Sequence, residues 1–215
     1  MALRPIKGEP GKFLDTISGE VLDISDYRED DKFDTVFLPA GAVAAGTQFI
    51  FFRDIQNKRE IDTNFTQVSR LSAGEEVIVD RVGFTIREAT GEILPTPSDI
   101  KKVVADGFLR FTVNRLLLIE GPAVKFPSGY GLAGNTVETG QGIVSIGVPS
   151  TAAAARLLKT QLLTSAHEVE ATLTFYPRPW AVAARVAQND SMPTFENPMF
   201  ATSWLHGMIK SAVSK

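Results

Sequence analysis

The stretch GYGLAG, residues 129–134, fits G-x-G-x-x-G letter for letter. Such a loop can bring backbone amides against a pyrophosphate, provided a strand leads in and a helix starts at its exit. The lead-in is present, because FLRFTVNRLLLIEG at 108–121 reads as one long strand. The exit opposes the chemistry. NTVETGQGIVSIGVP carries Gly140, Gly142 and Gly147 and closes on Pro149, and each Gly costs a helix roughly 1 kcal/mol relative to Ala. Glu138 is too near and Glu168 too far to be the acid that holds a ribose about 20 residues on. The glycines therefore predict a kinked β-loop, and no cofactor is expected.

Other reactive constellations are equally thin. Metal-dependent β-barrel enzymes need two or three His with a carboxylate, and this chain has only His167 and His206, in no H-x-H or H-E-x-x-H pair. Both read as structural histidines. There is no Cys, so no disulfide and no thiol nucleophile. G-x-S-x-G and the phosphate-binding G-x-x-x-x-G-K-[ST] are absent. The acidic run SDYREDDKFD, residues 25–34, has five acids in ten positions, without the ligand spacing of a calcium loop. No acid pair stands out for glycoside hydrolysis. The expectation is a non-enzyme with no catalytic residue, no metal and no cofactor.

The 22 basic and 25 acidic residues are well mixed, giving a net charge of −3, which argues against sequence-specific nucleic-acid binding as the main task. No apolar run approaches a membrane span, and MALRPIKGEPGKF lacks the apolar core of a secretory signal.

The elements that would position any site are mostly strands. Residues 1–34, broken by Pro5, Gly8, Pro10, Gly11 and Gly19, read as a solvated, extended N-terminal arm or a peripheral hairpin, with 35–215 as one domain. VFLPAGAV (36–43) is an edge or bent strand because of Pro39. TQFIFFRD (47–54) is a strand with Phe49 and Phe51 on one face and Phe52 on the other. EEVIVDRVGFTIRE (75–88) alternates on either side of a bulge near Asp80–Gly83. In EVEATLTFY (168–176), Val169, Ala171, Leu173 and Phe175 share a core face. TPSDIKKVVADG (96–107) predicts a short helix with Ser98 as N-cap, Asp99 in the first turn and Gly107 as stop. STAAAARLLKTQLL (150–163) predicts a second. The tail favours a last strand. About eight strands with one or two short inserted helices predict an all-β, antiparallel β-sandwich, a single jelly roll.

Three phrases carry a family resemblance: FIFFRDIQNKREIDTNFTQVSRLSAGEEVIVDRVGFTI (49–86), FLRFTVNRLLLIEGPAVKFPSGYGLAG (108–134) and VEATLTFYPRPW (169–180). In this order the chain resembles, over about residues 45–205, the jelly-roll major capsid proteins of tailless icosahedral bacteriophages, many of which enclose a membrane. The resemblance implies a virion protein. It would assemble with itself into trimeric or hexameric capsomers, meet other capsid proteins and lie over an internal membrane where one exists. Double-jelly-roll members need far more than 215 residues, so this chain has room for one roll or for a minor shell component. Tyr130, Tyr176, Trp180 and Trp204 are the expected interface aromatics. The rival reading is a carbohydrate- or receptor-binding β-sandwich that uses Tyr130, Tyr176 and Trp180 on sugars.

Overall fold

The computed structural model describes residues 3–15, 19, 21–44, 46–88, 97–127, 154–176 and 192–210. In chain order the elements are β1 (Leu3–Pro5), β2 (Lys12–Asp15), β3 (Val21–Asp23), β4 (Arg28–Leu38), β5 (Gly41–Ala42), β6 (Gln48–Phe51) and β7 (Glu76–Glu88). Then follow helix α1 (Pro97–Asp106), β8 (Gly107–Val113), β9 (Leu116–Pro122), a 3-10 turn at Ala123–Lys125, β10 (Ala155–Thr164), β11 (Val169–Phe175), β12 (Thr194–Phe195) and β13 (Met199–Lys210). The protein is mostly β. Two four-stranded antiparallel sheets, ordered β10-β7-β13-β4 and β6-β11-β8-β9, contribute to one hydrophobic core.

The core follows strand alternation. Val169, Ala171, Leu173 and Phe175 of β11 are all buried, as the sequence predicts. Val77, Val79 and Val82 of β7 and Ala201, Leu205 and Ile209 of β13 supply the other layer. Phe51 meets Phe84 edge-on between sheets, with ring centroids 6.5 Å apart. The expected bulge is present: His206 pairs with Arg81 and Gly207 with Val79, so Asp80 has no partner on β13.

Several expectations are corrected. Residues 108–121 are not one strand but a hairpin, β8 and β9, turning at Asn114 and Arg115, both left-handed (φ 49° and 65°). A two-residue turn of this kind favours Asn-Gly, so Asn-Arg hid it. The second helix expected, at 150–163, is replaced from Ala155 onward by β10; pairing with β7 outweighs the weak helix preference of Ala and Leu. Leu157 and Leu163 enter the core while Leu158 is fully exposed. Residues 28–34, read as the end of an arm, are the first half of β4, which pairs with β13 from Arg28 to Leu38. The expected helix at 96–107 is α1, with Pro97 rather than Ser98 opening it and Asp99 in its first turn. The GYGLAG loop and the glycine-rich stretch that follows it lie outside the described residues.

The registers fix the two ends of the sandwich. Leu38 and Glu88 flank Met199 in one sheet, and Phe175 pairs with Gly107 in the other. At the opposite end, residues 52–75, the 114–115 turn and the 165–168 turn connect the strands.

β4 is an edge strand, with free amides and carbonyls that invite pairing. The D-T-N-F segment covers it. Asn64 Oδ1 accepts the Phe33 N–H (2.8 Å), Asn64 Nδ2 donates to the Asp31 carbonyl (2.7 Å), and the Asn64 N–H donates to the Phe33 carbonyl (3.3 Å). Two buried charges of β4 clamp the same segment. Lys32 Nζ lies 2.6 Å from Glu75 Oε1, and Lys58 Nζ donates to both oxygens of Asp34 at 2.8 Å.

Candidate functional site

The connections at the second end enclose a cleft of about 350 Å³. Among the described residues, its charged lining is Arg53, Arg115, Glu168 and Glu170, joined by Val68, Ser69 and Thr112. Three connections build it. Arg53 follows β6, Val68 and Ser69 come from the long 52–75 segment, Thr112 and Arg115 from the β8–β9 hairpin, and Glu168 and Glu170 from the entry to β11.

The backbone around the cleft is unusual. Five described non-glycine residues are left-handed, and four of them, Phe52 (φ 67°), Ser69 (55°), Asn114 (49°) and Arg115 (65°), line it or adjoin a lining residue. Such residues persist only where their surroundings over-determine them. Phe52 is held by the buried Asp34 carboxylate, which accepts its N–H at 2.7 Å. Ser69 donates its N–H to the Phe52 carbonyl (2.6 Å), and the Ser69 carbonyl accepts from Val169 (2.8 Å). Asn114 and Glu168 form a closed ring: the Asn114 N–H donates to the Glu168 carbonyl, and the Glu168 N–H donates to Asn114 Oδ1, both at 2.8 Å. The walls are therefore fixed by hydrogen bonds rather than by ion pairs. Among the described residues, none of Arg53, Arg115, Glu168 and Glu170 is in a salt bridge. The left-handed turn also corrects the reading of Phe52, which is fully buried and packs 4.7 Å from the Phe65 ring instead of facing outward from a strand.

Burial pushes the Asp34 carboxyl above its ordinary range, against the opposing pull of Lys58 and the Phe52 N–H. Asp62 shifts the other way. Burial alone would raise it, but hydrogen bonds from Arg87 and Arg59 outweigh that and hold it below the usual value.

A second surface lies on the outer face of the β10-β7-β13-β4 sheet. An antiparallel sheet normally turns a polar face to water. Here the register sets Phe37 beside Phe200 and Phe33 beside Trp204. Phe33 and Trp204 lie 4.9 Å apart, Phe37 meets Phe200 edge-on at 5.6 Å, and Arg87 sits 4.6 Å over the Phe200 ring. Phe37 is 51% exposed; Phe33, Phe200 and Trp204 are half-buried. Trp204 Nε1 donates to Thr85 Oγ1 at 2.9 Å, anchoring its ring on the sheet.

Of the four expected interface aromatics, Trp204 joins this face. Tyr176, 52% exposed, stands at the other end of the molecule's second sheet, edge-on to Phe108 at 5.9 Å. Tyr130 and Trp180 lie outside the described residues. Sequence reasoning missed Phe33, Phe37 and Phe200, whose signal was the outward alternation Phe-Thr-Phe in β4 and Phe-Thr-Trp in β13. It also missed Arg53, Arg115 and Glu170, which share nothing in sequence. Neither histidine is among the described lining residues. His167 Nδ1 accepts the Thr164 N–H at 3.0 Å and so closes the β10–β11 turn. His206, buried, places Nδ1 2.9 Å from Asp31 Oδ1. Among the described residues, no group of three or more His, Asp or Glu could hold a metal ion. No protein-family model and no curated protein matches this chain.

Proposed function

We propose that the chain is a structural virion protein, a single-jelly-roll shell subunit that assembles with copies of itself. The observation that carries this reading is the aromatic outer face of Phe33, Phe37, Phe200 and Trp204. Exposed aromatics grouped on a rigid sheet are the residues that anchor protein interfaces. The strand order supports the jelly-roll part. Counting the eight strands of the two large sheets in chain order, one sheet runs 6-3-8-1 and the other 2-7-4-5, the interleaving expected of two nested Greek keys. The three phrases that resemble phage capsid proteins point the same way. Capsomers of three or six copies, contact with other capsid proteins and residence in the virion belong to this proposal.

The test is light scattering on the purified protein, followed by electron microscopy of the same fractions. The wild type is expected to form trimers, hexamers or closed particles. Phe37→Glu, at a half-exposed position, is expected to keep the circular dichroism spectrum and lose the large species. A wild type that stays monomeric at high concentration, across salt and pH, overturns the proposal.

A further inference from the structure

We propose that the cleft between the 52–75 segment, the β8–β9 turn and the entry to β11 binds a small zwitterion of amino-acid or dipeptide size. Its carboxylate would be held by Arg53 and Arg115 and its ammonium by Glu168 and Glu170. This goes beyond the assembly reading and does not depend on it.

Four observations carry the inference. Two guanidinium groups and two carboxylates line one cavity, yet none of the four is in a salt bridge among the described residues. Charges of both signs held around one space match a ligand that carries both. A cavity of 350 Å³ is about ten times the share of one liquid water, and lies in the range of small-molecule sites.

Arg115 gives the clearest sign. At φ 65° in a two-residue hairpin turn, it occupies the position where Gly carries no steric penalty and Arg does. The turn would form more readily with Gly, so what Arg adds is its guanidinium at the cleft.

The walls are also fixed in advance. The Val169–Ser69 and Asn114–Glu168 hydrogen bonds lock three connections together, so a ligand need not order them. Ser69 Oγ donates to the Phe52 carbonyl (3.3 Å) and Thr112 Oγ1 to the Glu170 carbonyl (3.5 Å). Their hydroxyl protons are thus spent inside the wall, leaving oxygen lone pairs as acceptors for an ammonium. Val68, half exposed, offers an apolar surface to the carbon skeleton between the charges.

The experiment is isothermal titration calorimetry of the full chain with glycine, L-alanine and L-alanyl-L-alanine, and with acetate, methylammonium and inorganic phosphate. At least one zwitterion is expected to bind saturably at one site per chain. Acetate and methylammonium should each bind about tenfold more weakly or worse. Arg115→Gly, which the backbone favours, and Glu168→Gln should each weaken zwitterion binding about tenfold, with Arg115→Gly unfolding at a higher temperature than wild type and Glu168→Gln at or near the wild-type temperature. Three results overturn the inference: no saturable heat with any zwitterion, affinity unchanged in both variants, or phosphate binding at least as tightly as the best zwitterion. The last would make the cleft a plain anion site.

Discussion

Gly207 lies directly against the backbone of Ile78: a Cβ at position 207 would sit 1.8 Å from the Ile78 carbonyl oxygen. The cause is the bulge at Asp80, which draws β7 towards β13 just after the His206–Arg81 pair. Backbone cannot move aside as a flexible side chain would. Gly207→Ala is expected to cost at least about 3 kcal/mol, the upper part of the overpacking range. Urea unfolding followed by circular dichroism measures it.

Asn64→Ala removes the amide that saturates Asp31 and Phe33 on the edge of β4. Losing two bonds to partly buried backbone groups should lower stability by about 1–3 kcal/mol. It should also uncover a strand edge, so the variant is expected to aggregate faster than wild type on mild heating, read by light scattering.

Lys58→Met leaves the Asp34 carboxylate, 0% exposed, without its cation. Breaking a buried pair on one side costs about 3–5 kcal/mol at neutral pH. The pH dependence has a defined sign. Burial raises the Asp34 carboxyl above the ordinary 3.8, so the stability linked to its proton is full below that value and fades as pH rises through the folded value. Removing Lys58 raises the carboxyl further. The penalty of Lys58→Met should therefore shrink as the solution is acidified and Asp34 takes up its proton, which unfolding curves at several pH values will show.

Asp62→Asn should behave in the same assay according to the opposite shift. Arg87 and Arg59 hold the Asp62 carboxyl below its ordinary value. Its contribution is present above the unfolded value of about 3.8 and is lost as pH falls through the folded one. The variant should be less stable than wild type at neutral pH, and the two should converge in acid.

Arg115→Gly should raise stability by about 1 kcal/mol, because Gly escapes the Cβ clash of a left-handed residue. Differential scanning calorimetry is the measurement. A gain here, with ligand binding weakened, separates the role of the side chain from that of the turn.

The sequence by itself determined the strand character, the β11 core face, the bulge near Asp80, the helix at 97–106 and the last strand. Each rests on a local rule: alternation sorts side chains to two faces, and Pro and Gly punctuate. Tertiary structure alone decided the rest. The acidic run around Lys32 and Asp34 looked solvated, but β4 pairs with β13 over its whole length and the 52–75 segment brings Glu75 and Lys58 to these charges. Helix-favouring residues at 155–164 became a strand because β7 offered hydrogen bonds along an open edge. Asn114-Arg115 was not legible as a turn, since its left-handed backbone is imposed by the pairing of β8 with β9 and by the ring with Glu168. The cleft draws Arg53, Arg115 and Glu168 from positions far apart in the chain. Only the antiparallel register, which brings three connections to one end of two sheets, makes them neighbours.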